Sequence, residues 1–412
     1  MNQKENLKGV IIQAAVDGKI TVENAAKRLN LSERRVKQLK KELRKKGVLP
    51  IHGNCGRKPA HALTDTEIDT IVLLKKTYEY EKANYLHFQE LLEEHNGIKI
   101  SYTPLRNLLV ANGIPSPRKH RKTKSHHRRK RKGAMGMMLQ ADGTPHDWFE
   151  TGSKQSLHGF IDDATGVITG LYMCENECLH GYLEVTRQTL INHGIPMSLY
   201  PDKASVFFPK ESARFDVSIE DQLNGITENF SQFGLIMNTL GISMFPAHSP
   251  QAKGRVERLW GTLQDRLVTE FKIHKITTIE AANKFLKSYI KKYNAKFAVK
   301  PQSPISAFVP MLSSIDLDRL LCYKLSRKTD PGGIFSINNE KFQVLSKAIP
   351  PRAKVEVLIS KKLGIQVVYK DVISKTIPLT SLNNGTDASG KSTKAIIASI
   401  VQEYFLKDAK VS

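Results

Sequence analysis

Met137-Met138-Leu139-Gln140-Ala141-Asp142-Gly143 reads as an apolar strand stopped by an aspartate. Ser198-Leu199-Tyr200-Pro201-Asp202-Lys203 repeats that ending. In Ser249-Pro250-Gln251-Ala252-Lys253-Gly254-Arg255-Val256-Glu257-Arg258, Ser-Pro opens a helix with a third acid one to two turns in. Three carboxylates make an all-oxygen ligand set, which suits hard cations such as Mg²⁺. Two such ions clamp the attacking and leaving oxygens of a phosphodiester. Asp142, Asp202 and Glu257 are therefore the expected catalytic and metal-binding residues. Asp147, Asp162 and Asp163 are rival acids, with the last two expected at a hairpin end.

Working outward, strands are expected at 135–141, 158–162, 166–173, 197–200 and 241–247, and helices at 181–193, 228–240 and 251–272. Asp163-Ala164-Thr165-Gly166 suits the turn of a hairpin. A hairpin followed by strand–helix alternation implies a mixed five-stranded sheet with helices on both faces over residues 134–296.

The flanks differ from this core. The chain has 412 residues and a net charge of +23. Residues 1–133 carry a net +17, residues 134–296 a net −2, and residues 297–412 a net +8. Basic flanks bind a polyanion by releasing its counterions, so double-stranded DNA is the expected partner. The near-neutral middle keeps its acids, and cations must bridge it to nucleic acid. Four scattered cysteines suit a reducing cytosol rather than a disulfide framework. No apolar run approaches a membrane span, and no signal-peptide core opens the sequence.

Residues 1–50 read as a helix-turn-helix domain. Leu7, Val10, Ile11 and Ala14 are expected to face inward from its first helix. Thr21 and Ser32 are candidate caps for the second and third. The third carries Arg34, Arg35, Lys37, Lys40 and Lys41 outward, as a groove-reading helix does. After a linker at 53–59, residues 60–115 read as a second such domain, opened by the capping box Thr64-Asp65-Thr66-Glu67. Residues 116–133 hold ten Lys/Arg and no acid. This basic linker offers Arg118, Lys119, Arg121, Lys122, Arg128, Arg129, Lys130 and Arg131 to phosphates. Residues 318–378 alternate as a small β-barrel, and 383–412 read as a flexible tail with a short helix.

Lys203, Lys253, Arg255 and Arg258 are candidate DNA contacts beside the acids. Lys253 also stands four residues before Glu257, where an intrahelical ion pair is the plainer reading. Trp260 is expected in the core. Cys174-x₃-Cys178-x-His180 lacks a second ligand pair for zinc, and His126-His127 belongs to the basic run.

The motifs Gln140-Ala-Asp142-Gly-Thr-Pro-His146-Asp-Trp148-Phe, Ile161-Asp-Asp-Ala-Thr-Gly166, Tyr200-Pro-Asp202-Lys203 and Ser249 through Leu267 resemble the ISNCY-type insertion-sequence transposases of bacteria, within the DDE transposase and retroviral integrase superfamily. The resemblance runs from the first helix-turn-helix unit to the β-domain. It implies an RNase H-like core, a triad of Asp142, Asp202 and Glu257, and two Mg²⁺ or Mn²⁺ ions per site. It also implies a bacterial cytoplasmic, nucleoid-associated protein that assembles as a homo-oligomer on paired element ends. The implied activity is donor cleavage and strand transfer, which is DNA recombination and integration at terminal inverted repeats. The gap of 55 positions from Asp202 to Glu257 is longer than is usual in the superfamily, with extra residues at about 204–232. A repressor with a silent core and a nuclease that cuts without joining are the competing readings. The intact acid set speaks against the first, and the paired DNA-reading units against the second.

Overall fold

The computed structural model describes residues 3–50, 63–117, 129–210, 214, 228–247, 254–312, 314–370, 372–379 and 393–406. The chain divides into two compact units, residues 1–70 and 71–412.

In the first unit, α1 (Gln3–Val16), α2 (Val22–Leu29) and α3 (Glu33–Lys46) follow one another. Thr21 Oγ1 accepts from Asn24 N and Ser32 Oγ from Arg35 N, so both expected caps form. The inward face of α1 differs from the expectation. Leu7 and Val10 are exposed, and Ile11, Ile12 and Ala15 are buried against Ala25, Ala26, Val36 and Leu39. Two apolar stripes share Ile11, and the one bearing the small Ala15 is the one that packs. The helix α4 (Asp65–Lys76) runs across the boundary between the units. Its capping box closes reciprocally, Thr64 N to Glu67 Oε2 at 2.8 Å and Glu67 N to Thr64 Oγ1 at 3.2 Å.

The second unit continues with α5 (Tyr85–Asn96) and α6 (Tyr102–Ala111). Lys75 is buried, and its ammonium donates to the carbonyls of Tyr80, Glu81 and Ala83 at 2.7, 2.8 and 2.9 Å. It holds the turn that leads into α5. A five-stranded sheet follows in the order β3-β2-β1-β4-β5. Its strands are β1 (Leu139–His146), β2 (Gln155–Asp162), β3 (Ile168–Cys174), β4 (Ser198–Tyr200) and β5 (Ser243–Met244). The first three pair antiparallel; β4 and β5 join in parallel.

One face of the sheet packs on α7 (Leu179–Asn192) and α8 (Gln232–Thr239) through Leu139, Ala141, Phe160, Tyr182 and Phe233. The other face packs on α9 (Gly254–Ile273) and α10 (Ile279–Phe297) through Leu157, Ile161, Leu171, Leu263 and Leu286. The edge strand β3 is covered rather than left open. Gln188, Asn283 and Asn294 each bond its backbone N–H and C=O through their side-chain amides, at Leu171, Met173 and Ile168.

Beyond a short α11 (Leu317–Leu320), six antiparallel strands curl into a nearly closed barrel-like sheet in the order β6-β9-β10-β11-β8-β7. They are β6 (Tyr323–Lys328), β7 (Ile334–Ile337), β8 (Glu340–Val344), β9 (Lys354–Ser360), β10 (Gly364–Tyr369) and β11 (Val372–Pro378). The last helix, α12 (Thr393–Leu406), buries Ile396 and Ile400 in the same apolar cluster. Among the described residues, no helix is long and apolar enough to cross a membrane.

One expectation is corrected here. Asp142 does not end the first strand but stands in the middle of β1, opposite Gly159. The antiparallel ladder with β2 carries the strand on to His146, past Gly143 and Pro145. What ends before Asp142 is the parallel ladder with β4, whose last pair is Gln140 with Tyr200.

Candidate functional site

Asp142 and Asp202 stand at the same offset, each two residues beyond the last pair of the β1–β4 ladder. The carboxyl ends of neighbouring parallel strands are where open α/β sheets form binding crevices. Asp142 is half-buried on the face that α9 covers, and Asp202 is half-buried with Oδ1 accepting from Ala204 N at 3.0 Å.

The helix α9 is indexed on β1 by three contacts. Val256 N donates to Gln140 Oε1 at 3.1 Å, Trp260 Nε1 to Asp142 Oδ2 at 2.8 Å, and Gln264 Nε2 to Thr144 Oγ1 at 3.0 Å. Four helical residues rise about 6.0 Å. Two strand residues rise about 6.8 Å. The two repeats nearly match, so the 256, 260, 264 stripe meets the 140, 142, 144 face in step. Gly159 makes room for it, since a Cβ there would stand 2.8 Å from the Trp260 ring and 2.7 Å from Leu171 Cδ2. Trp260 is buried, as expected.

Glu257 lies in the first turn of α9, one turn before Trp260, and is exposed. A carboxylate there is favoured by the helix dipole whatever else it does. The three acids do not close into one tight group. Among the described residues, the one set of three His, Cys, Asp or Glu side chains with donor atoms within 4.8 Å of one another is His95, Glu270 and His274. For Asp142 and Asp202 the donor chemistry fits a hard cation, two carboxylates each two residues beyond the last pair of the β1–β4 ladder.

Glu177 and Tyr182, which sequence reasoning missed, complete the surroundings. The Tyr182 hydroxyl donates to Glu177 Oε1 at 2.5 Å. Burial, then the charges of Glu177, Asp142 and Asp202, push the phenol well above its ordinary range. A Cβ at Gly143 would come within 2.9 Å of Tyr182 Oη and 3.0 Å of Glu177 Cδ. The glycine after Asp142 was the available signal: it marks a close approach.

The rival acids all have structural partners. Asp147 accepts from Thr151 N and Gly152 N. Asp162, fully buried, accepts from Gly136 N and from Thr165 N and Oγ1, at the expected hairpin end. Asp163, also fully buried, binds Arg129, Arg255 Nη1 at 2.7 Å, Gln140 Nε2 at 2.9 Å and Lys132 N at 2.9 Å.

The basic candidates divide accordingly. Arg129 and Arg255 turn onto Asp163, and Arg131 donates to the carbonyls of Asp163 and Ala164. Lys130, Lys203 and Arg258 are exposed. On α3, Arg34, Arg35, Lys37 and Lys41 are exposed and Lys40 is half-buried. Arg118, Lys119, Arg121, Lys122, Arg128 and Lys253 lie outside the described residues.

Cys174 and Cys178 are buried together, and Cys178 N donates to His158 Nε2 at 3.1 Å. The Cys178 thiol is pulled below its ordinary range, first by the Cys174 hydrogen bond and then, against burial, by His158.

No family model matches the sequence. Among solved structures, the chain is similar to the simian T-cell lymphotropic virus intasome in complex with PP2A regulatory subunit B56 gamma (14% identity, 70% of this chain and 95% of that one, TM-score 0.31). It is also similar to the HTLV-2 integrase catalytic core domain in complex with magnesium (18% identity, 38% and 85%, TM-score 0.27). A protein named as a transposase, y4bF of Sinorhizobium fredii, is 31% identical over 347 residues, covering 84% of this chain and 73% of that protein. The transposase for insertion sequence IS1202 of Streptococcus pneumoniae is 37% identical over 361 residues, covering 80% of this chain and 75% of that protein. By identity sustained over that much of both proteins, the chain belongs to the insertion-sequence transposases.

Proposed function

We propose that this transposase binds the terminal inverted repeats of its element and cuts and joins DNA with Asp142, Asp202 and Glu257 as its DDE triad. The observation that carries the reading is the matched placement of Asp142 and Asp202 beyond the β1–β4 ladder, with α9 fixed to Asp142 through Trp260. The strand order β3-β2-β1-β4-β5 supports an RNase H-like core. Asp142 and Asp202 would hold two Mg²⁺ or Mn²⁺ ions with Glu257, and such ions supply charge neutralisation at the attacking and leaving oxygens.

The chain's own residues do the positioning. Trp260 fixes the Asp142 carboxylate, and Glu257 reaches the site from the first turn of α9. Lys203 and Arg258, both exposed, take flanking phosphates. In the proposed reaction, water attacks the phosphorus at the element end and the 3′-oxygen leaves. The freed 3′-hydroxyl then attacks a target phosphodiester, with loss of the target's own 3′-oxygen.

The domains divide the remaining work. Residues 1–50 and 60–115 read the ends as helix-turn-helix domains, with the basic face of α3 in the major groove. The linker 116–133 tracks phosphates between them and the core at 134–296. The barrel at 318–378 adds DNA or subunit contacts in a homo-oligomer, and α12 packs on it.

The test is a Mg²⁺-dependent reaction on DNA carrying the ends that flank the gene, run beside Glu257→Gln. Nicks at the end boundary and joined products, both absent in the variant, are expected. Binding without metal-dependent cleavage across several end variants would overturn the enzyme reading in favour of a repressor. Nicks without joined products would leave a nuclease.

A further inference from the structure

Glu270 stands on α9 more than three turns beyond Glu257, on the side that meets α5. It is 1% exposed. Its two oxygens have different surroundings. Oε1 takes Lys292 Nζ at 3.1 Å and lies 3.5 Å from His87 Nε2. Oε2 is buried and takes no hydrogen bond. A buried acceptor left without a donor costs about 1–3 kcal/mol, more when it is charged. Such an atom needs an account.

His274 supplies one. It follows Glu270 by four residues on the same helical face, and its Nε2 lies 3.8 Å from Oε2. His95, near the end of α5, faces it with ring centroids 5.8 Å apart. The donor atoms of His95, Glu270 and His274 all lie within 4.8 Å of one another. Around a tetrahedral ion with bonds of about 2.1 Å, ligand atoms sit about 3.4 Å apart. Both imidazoles are exposed, so small rotations close the difference and leave a fourth position open to water. Lys292 opposes a cation, but it is shared with Glu94 at 2.6 Å. With neutral imidazoles, Glu94, Glu270 and Lys292 together carry −1.

We propose that His95, Glu270 and His274 bind one zinc-class divalent transition-metal ion, separate from the ions at the aspartates. Two nitrogens and one carboxylate oxygen are a set that Zn²⁺ takes and Mg²⁺ does not favour. The ion ties α5 to α9, where Arg266 and Glu90 already form a paired bridge at 2.7 and 3.0 Å. It therefore fastens the helical region before the core to the helix that carries Glu257.

The test uses the full chain stripped by chelator and titrated with Co²⁺ in excess Mg²⁺. His95→Gln and His274→Gln are run beside it. Glu270 is kept, since its loss would strand Lys292 and His87. One equivalent of Co²⁺ with tetrahedral visible absorption, displaced by Zn²⁺, is expected. Each variant should bind at least tenfold more weakly while its circular dichroism is unchanged. Equal binding by the variants, no binding by the parent, or a sulfur-to-cobalt band placing the ion at Cys174 and Cys178 would each overturn the assignment.

Discussion

Trp260 donates its indole N–H to Asp142 Oδ2 at 2.8 Å, across 118 positions of sequence. This one bond aligns an acid on a strand with the helix that carries another. Trp260→Phe keeps an aromatic side chain, smaller than the indole, and removes the donor. A hydrogen bond to a charged group contributes roughly 1.5–3 kcal/mol. Cleavage and joining should fall about 10- to 100-fold with DNA affinity little changed, while the thermal midpoint drops because the smaller ring leaves a cavity in the core. Equal activity in a single-turnover assay would show that Asp142 needs no such support.

Asp202→Asn keeps shape and removes charge at the end of β4. Cleavage should drop by at least about 10²-fold, as when a preorganised charge is lost from a reacting centre. Binding to the element ends, read by gel shift, should persist. A matching loss of binding would make Asp202 a structural residue.

Gly159→Ala places a methyl 2.7 Å from Leu171 Cδ2 and 2.8 Å from the Trp260 ring. Overpacking of this kind costs about 1–3 kcal/mol. Because the ring it pushes holds Asp142, activity should suffer along with stability. Denaturant unfolding and cleavage assays on one preparation measure both; a variant as stable as the parent would contradict the packing described.

Lys75 gives a pH signature. Burial pulls its ammonium down to about 8, against 10.5 for an ordinary lysine. Between those values the unfolded chain binds a proton that the folded chain does not. Stability therefore rises with pH over that window and is lost as pH falls back toward 8. Lys75→Met removes this contribution and strands three carbonyls. The variant should be less stable by about 1–3 kcal/mol or more. The difference between parent and variant in urea melts should widen from pH 8 to pH 10. A constant difference would show that Lys75 does not titrate there.

Much of this was legible because local chemistry fixes it. Thr21, Ser32 and the Thr64–Glu67 box act within one helical turn, and strand alternation names the two faces of β1. That Asp142 sits inside β1 rather than at its end was not legible, because an apolar run ending in an aspartate, followed by Gly143 and Pro145, does not show where the ladder stops. Only pairing with the next strand, β2, carries the ladder through them. Tyr182 and Glu177 were missed because nothing local distinguishes them from a core tyrosine and a loop acid. The fate of Arg255 was equally hidden, since Asp163 lies 92 positions away. Glu90 on Arg266 and Glu94 on Lys292 likewise join α5 to α9 and α10 through partners no periodicity reveals.

The indexing of α9 on β1 also bears on how such chains diverge. The loop that follows Asp202 has no say in where Glu257 stands, because Gln140, Asp142 and Thr144 set the position of the helix directly. On the proposed triad, a change of length between Asp202 and α9 leaves Glu257 in place so long as Phe207 keeps its packing on Tyr182. One residue added between Glu257 and Trp260 would instead swing the glutamate about 100° around the helix. Position counts between the acids are then a poor ruler for comparing distant relatives. On the proposed triad, the three-residue interval from Glu257 to Trp260 is the length that sets the glutamate against β1.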